Sequence, residues 1–284
     1  MQIIHEPAEM QELTAGWRCA GHEIGFVPTM GALHRGHIEL CHRARAENSR
    51  FVASIFVNPA QFGANEDLDQ YPRPFEKDAE LLREAGCHAL FAPAPSSMYA
   101  RDNDFLHGTW VDVSPFDEMW EGVTRPGHMR GVATVVTKLF NIVGPQRAYF
   151  GEKDFQQLKM VEALVRDLNF PVRIVPVPTI REPDGLALSS RNVYLSPEER
   201  RAAAIIPRAL RAGAVMAADG ETDVACIGQC MAEIVASEPA INPQYFAVVN
   251  ATTLQPLTQL TGSPARIIAA VYAGKTRLID NWPI

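Results

Sequence analysis

The chain lacks most of what marks secreted, membrane-bound or nucleic-acid-coating proteins. Its five cysteines (Cys19, Cys41, Cys87, Cys226 and Cys230) are odd in number, scattered and without a CxxC pair. That usage reads as reduced thiols in a reducing compartment rather than a disulfide framework. Cys226 and Cys230 stand one helical turn apart, but no further Cys or His is close in sequence to complete a zinc set, so core packing is expected of them. No run approaches the ~20 apolar residues of a membrane span. The opening MQIIHEPAEMQEL has the order of neither a secretory signal nor a transit peptide, and the expected compartment is the cytoplasm. With a net charge of −7 there is no basic footprint for non-specific nucleic-acid binding. A local anion site stays compatible with that charge, because a helix N-terminus and a few Lys or Arg can hold phosphate in an acidic protein. Internal repeats and low-complexity tracts are absent too.

What is present is an ordinary globular composition, 47 % apolar and 21 % charged over 284 residues, enough for one large domain or two ordinary ones. The first two-thirds alternates strand-like and helix-like segments. EIGFVPT and the nearly continuous apolar RFVASIFVN read as strands, the second as one buried on both faces of a parallel sheet. HIELCHRARAEN, FEKDAELLREAG, GVATVVTKLFNIVG and DFQQLKMVEALVRDLN read as helices, and CHALFAP, RAYFGEK and PVRIVPVPTIRE as further strands. Such alternation predicts an α/β, doubly wound, Rossmann-like parallel sheet. The texture changes near REPDGLALSSRN. Beyond Ser196, which with Glu199 forms a capping box around Pro197, come alanine-rich helices. Three strand-like runs follow, the last two with no helix between them. The expected division is a domain over 1–183 and a smaller α+β domain over 184–284 that closes over the active site.

The densest chemistry lies in VPTMGALHRGH. In open α/β sheets ligands sit beyond the carboxyl ends of the strands, and this stretch joins a strand to a helix there. Gly31 and Gly36 permit close backbone approach, and the N–H groups and dipole of the helix attract anions. His34 and His37, three apart, face the same way and can donate hydrogen bonds to phosphate oxygens that gain charge as a phosphorus–oxygen bond breaks. Two alternatives stay open on spacing alone. One is a metal-binding HxxH pair, although the zincin arrangement with an intervening Glu is absent. The other is a pair of surface histidines.

Three more polar segments, FVNPAQFGANEDLDQYPR, FGEKDFQQL and REPDGLALSSRN, fall where such a sheet opens its crevice. With PTMGALHxGH, FVNPxQF, RPGHxRGV, FGEKDxQQL and SSRN in this order from end to end, the chain resembles the pantoate–β-alanine ligase family. HxGH alone marks only the wider nucleotidyltransferase superfamily shared with class I aminoacyl-tRNA synthetases. The resemblance implies condensation of pantoate with β-alanine, driven by ATP with Mg²⁺ through an enzyme-bound pantoyl adenylate, with no metal held by the protein itself. It implies an ATP site made of Pro28, Thr29, Met30, Gly31, Ala32, Leu33, His34, Arg35, Gly36 and His37, of Gly151, Glu152, Lys153 and Asp154, of Ile180 through its backbone, and of Leu188, Ser189, Ser190 and Arg191. Many members have Met where this chain has Leu188, a volume-conserving change.

His37, His34, Lys153 and Arg191 would carry the catalysis. Gln61 and Gln157 would bind pantoate, with Gln61 also near β-alanine. Amides suit that task, because an Arg ion pair would quench the attacking carboxylate. Asn58, Tyr71 and Arg125, the last with His128, would border the site, and the 63–71 loop would act as a flap excluding water from a labile mixed anhydride. No cysteine has the context of a nucleophile, and no dedicated base for the β-alanine amine stands out. The family further implies a homodimer. The rival readings are another HxGH enzyme transferring adenylate to a different acid or phosphate, and an inactive nucleotide-binding module. The first gives no reason for the glutamine pair; the second gives none for intact His34, His37, Lys153 and Arg191.

Overall fold

In the first unit, short β-branched and aromatic runs form strands and the amphipathic segments between them form helices. The elements are β1 (Gln2–Ile4), α1 (Pro7–Cys19), β2 (Ile24–Thr29), α2 (Arg35–Glu47), β3 (Arg50–Ile55), α3 (Phe75–Glu84), β4 (Ala89–Phe91), α4 (Pro95–Met98), α5 (Glu121–Thr124), α6 (His128–Val143), β5 (Arg147–Gly151), α7 (Phe155–Asp167) and β6 (Arg173–Val177). The computed structural model describes residues 1–63, 66–99 and 108–284. Ile24, Phe26 and Val27 of β2 and Phe51, Val52 and Ala53 of β3 have no exposed surface, as strands covered on both faces require. Helix α6, valine-rich yet helical as its period predicts, stops at Gly144, whose left-handed backbone (φ 55°) lets its N–H return to the Phe140 carbonyl.

The strands form a parallel sheet in the order β1-β4-β3-β2-β5-β6. From β2 the chain winds outward through β3 and β4, then returns to lay β5 and β6 on the other side of β2. The order therefore reverses between β2 and β5, and the crevice of this sheet opens beyond Thr29 and Gly151. Strand β1 and helix α1 were not marked by sequence pattern. Three residues are too few to display a period, and β1 is defined by its distant pairing with β4, Gln2 against Ala89 through Ile4 against Phe91.

The second compact unit comprises Pro178–Ile284 together with Lys153–Phe155. It contains α8 (Pro197–Ala202), α9 (Ile205–Ala218), α10 (Val224–Ala236) and the antiparallel sheet β7 (Ile241–Asn250), β8 (Ala265–Ala273) and β9 (Thr276–Pro283). Leu210 of α9 and Ile227 and Met231 of α10 share a core with Ile267 and Val271 of β8. Helix α8 begins with the Ser196–Glu199 capping box. The unit starts ahead of residue 184 for a physical reason. The Glu182–Leu186 turn brings Arg181 beside Ala187, and Arg181 forms a two-pronged ion pair with Asp280 of β9 (2.7 and 2.9 Å). That pair ties the segment to the antiparallel sheet.

Candidate active site

The carboxyl end of β2 carries a turn whose backbone amides are already engaged. Gly31 (φ 83°) and Ala32 (φ 51°) are both left-handed, an unusual state for alanine. The buried Asp78 of α3 holds it, accepting from the Ala32 N–H at 2.7 Å and the Leu33 N–H at 2.8 Å. Burial pushes the Asp78 carboxyl upward, and the Leu33 and Ala32 amides pull it back. The Gly31 N–H goes to Thr29 Oγ1, whose hydroxyl donates to the Ser54 carbonyl. The Ala32 and Leu33 amides therefore already have an anion, the Asp78 carboxylate. Thr29 thereby ties the turn to β3.

At the start of α2 the two histidines form a reciprocal cap. His34 Nδ1 accepts from the Gly36 N–H (3.1 Å), and His37 Nδ1 accepts from the His34 N–H (3.3 Å). Their rings lie 4.1 Å apart between centroids, tilted by 39°. Because both Nδ1 atoms accept, the network assigns the ring proton to Nε2 on each. Arg35 is exposed, and Pro28, Met30 and Gly36 are half-buried.

After β3, Asn58 opens a 3₁₀ turn, Pro59–Gln61. Asn58 is 1 % exposed and spends its amide inside the protein. Its Nδ2 donates to Gln61 Oε1 (3.0 Å) and to the Gly131 carbonyl, while its Oδ1 accepts from Ala60 N–H and from Tyr99 OH (2.8 Å). Burial pushes the Tyr99 phenol up to about 12, so it stays a donor. The consequence is a fixed orientation for Gln61: Oε1 accepts from Asn58, and Nε2 lies 3.0 Å from Met30 Sδ in the turn after β2. The structure thus brings Gln61 to the histidine-bearing turn and makes Asn58 its support.

Arg125 is also committed elsewhere. Its Nε and Nη2 grip Glu66 (2.8 and 2.6 Å), and Nη1 donates to His128 Nε2 (2.9 Å). His128 Nδ1 then donates to the Gln61 carbonyl at 2.9 Å. Burial, reinforced by Arg125, pushes His128 down to about 4, and it is neutral. Arg125 accordingly braces Glu66 and, through His128, the Gln61 turn. Residues 64 and 65 of the 63–71 loop, expected to act as a flap, lie outside the described residues. Tyr71 is buried edge-on to Phe62. In the first turn of α7, Gln157 is partly exposed, whereas neighbouring Gln156 is buried and bonds the Phe116 and Met119 carbonyls and the Glu121 N–H.

Gly151 and Glu152 belong to the first unit, Lys153 and Asp154 to the second. Lys153 Nζ lies 3.7 Å from Asp154 Oδ1. In the second unit the Ile180 carbonyl accepts from the Leu188 N–H, and Ser189 Oγ caps a short 3₁₀ turn (Ser190–Tyr194) by accepting from the Arg191 N–H. Lys153, Ser189, Ser190 and Arg191 thus fall within one compact unit. Sequence reasoning missed Asp78, Glu66, Tyr99 and Asn281, the last of which bonds the Lys153 carbonyl. No short-range pattern could have marked them, because each acts on a partner remote in sequence.

Comparison with known proteins places the whole chain in one family. A sequence model of the family described as pantoate-beta-alanine ligase matches residues 2–283. A pantothenate synthetase of Rubrobacter xylanophilus is 53 % identical over 98 % of this chain and 97 % of its own length. One from Sinorhizobium medicae is 53 % identical over 99 % and 95 %. The crystal structure of pantothenate synthetase from Thermus thermophilus superposes with a TM-score of 0.92 at 49 % identity, covering 99 % of both chains. A Francisella tularensis pantoate-beta-alanine ligase, solved with beta-gamma ATP and beta-alanine, has a TM-score of 0.80 at 33 % identity over 100 % and 97 %.

Proposed function

The chain belongs to the pantoate-beta-alanine ligase family, and on that premise we propose how its residues divide the reaction. The enzyme joins pantoate to β-alanine at the expense of ATP. In the first step the pantoate carboxylate attacks the α-phosphorus in line, giving pantoyl adenylate and pyrophosphate. His34 and His37 donate through Nε2 to the phosphate oxygens as charge develops on the leaving group. Gln61, its amide oriented by Asn58, and Gln157 aim the pantoate carboxylate without neutralising it. Lys153, Ser189, Ser190 and Arg191 are assigned to the same triphosphate, with Arg191 supplying permanent, forked charge. Met30, Leu33, Arg35, Gly36, Gly151, Glu152, Asp154, Ile180 and Leu188 are assigned to the nucleotide's border on the family motifs.

In the second step the amine of β-alanine attacks the activated carbonyl and AMP leaves, water or a substrate phosphate taking the proton. Mg²⁺ fits as the nucleotide's companion. Among the described residues no three His, Cys, Asp or Glu gather to hold a metal ion, so its ligands would be phosphate oxygens and water. Bound there it would neutralise charge on the triphosphate. We further propose a cytoplasmic homodimer; no described helix is long and apolar enough to cross a membrane.

The observation that carries this reading is the convergence of Gln61 Nε2 on Met30, in the same turn that leads to the paired histidines. An acid-orienting amide beside phosphate donors suits acyl adenylation and has no purpose in plain nucleotide binding. The test is pyrophosphate release with ATP and pantoate but no β-alanine. One equivalent per active site followed by arrest is expected, with turnover resuming when β-alanine is added. Continuous release or none would defeat the proposal.

A further inference from the structure

Lys153–Phe155 follows β5 in sequence, yet it packs as part of the second unit. Strand β9 and its neighbour hold it there. Asn281, 2 % exposed, donates from Nδ2 to the Lys153 carbonyl at 2.9 Å. Its Oδ1 accepts from Arg266 Nε at 2.7 Å, and the Arg266 guanidinium carbon lies 4.1 Å from the centroid of the Phe155 ring. The bond from Arg266 settles which end of the amide is oxygen, so Nδ2 must face the Lys153 carbonyl. Behind Asn281, its own N–H donates to Asp280 Oδ1 at 2.7 Å, and Arg181 grips both the Asp280 carboxylate and the Asn281 carbonyl. The amide is therefore fixed from behind and aimed at one backbone atom of the loop.

A carbonyl held in place fixes its peptide plane and with it the positions of the residue's own Cα, from which the side chain departs, and of the next Cα. We propose that Asn281, locked by Arg266, is a positioning residue for Lys153: it sets the loop geometry from which the ammonium reaches the nucleotide. The inference deepens the assignment of Lys153 to the triphosphate and rests on it.

The test is a double-mutant cycle. Asn281→Asp keeps the volume and the acceptor for Arg266 but replaces the donor facing Lys153 O with an oxygen. Pantoate-dependent exchange of labelled pyrophosphate into ATP is measured for the parent, N281D, Lys153→Met and the double variant. N281D is expected to lower kcat/KM for ATP by about tenfold, with KM for pantoate within about twofold, and to cost less than about twofold in the K153M background. An equal loss in both backgrounds, or N281D within about twofold of the parent, overturns the inference and leaves Lys153's role standing. If K153M itself exchanges at nearly the parental rate, the Lys153 assignment falls and the inference with it. Should N281D not fold, Asn281→Ala runs through the same cycle and is judged by the same outcomes.

Discussion

His34 caps α2 through Nδ1, and in the proposed mechanism it also presents Nε2–H to phosphate. Asparagine is among the best N-caps but has no second ring nitrogen. His34→Asn should therefore unfold within about 0.5 kcal/mol of the parent while pantoate-dependent pyrophosphate release falls on the order of 10²-fold. Retained activity would reduce His34 to a cap. Gly151 admits a similar separation. A Cβ built there meets nothing within 4 Å, so the protein's own packing does not require glycine. Gly151→Ala should leave thermal stability unchanged or slightly raised and increase KM for ATP severalfold if the nucleotide passes over β5; an unchanged KM removes Gly151 from the site. The histidines and glutamines stand out as candidates in the sequence because their residue types sit in recognisable runs. Asp78 was hidden, since an Asp in FEKDAELL reads as first-turn complement to a helix dipole, and its amide partners lie 45 and 46 residues away.

Among the elements, the 3₁₀ turn carrying Gln61 is held by α6 alongside it. Gly131 of α6 faces this turn so closely that a Cβ would run into the Ala60 carbonyl and lie 2.7 Å from Gln61 Cα. Gly131→Ala should destabilise by about 1–3 kcal/mol through overpacking. Because the obstacle is the backbone of the turn proposed to orient pantoate, KM for pantoate should rise more than KM for ATP. An equal rise in both would mean a general loosening. This packing was invisible in the sequence, where Gly131 belongs to a regular helical run. Helices α2, α6 and α7 were readable because each runs long enough to show a 3.6-residue period. The Pro59–Gln61 turn is too short for a period, and its geometry comes from Asn58 and His128, one of which is supplied by a different element.

For the molecule as a whole, the acid limb of stability should be governed first by His128. Its neighbours are Arg125, which disfavours a second positive charge, and Glu121 and Glu66, which favour one; burial outweighs them all and leaves the ring at about 4, against 6.5 when exposed. The folded value is depressed, so above about 6.5 both states are neutral and the contribution is complete. As pH falls toward 4, the unfolded chain takes up a proton that the folded chain refuses, and stability declines. At pH 5 the loss is about 2 kcal/mol relative to pH 7. His88, lowered by burial and by Arg45 and Arg50, acts with the same sign. Asp78 and Asp117, raised by burial, act oppositely and only as the ordinary carboxylate range is approached. Glu47 and Asp184, held down by Arg43 and Arg200, lose their contribution at still lower pH. Denaturant midpoints between pH 7 and 5 should therefore fall for the parent, and His128→Gln should start lower at pH 7 yet decline less steeply. An unchanged slope in that variant would show that the buried ring at the Gln61 carbonyl is not the group titrating.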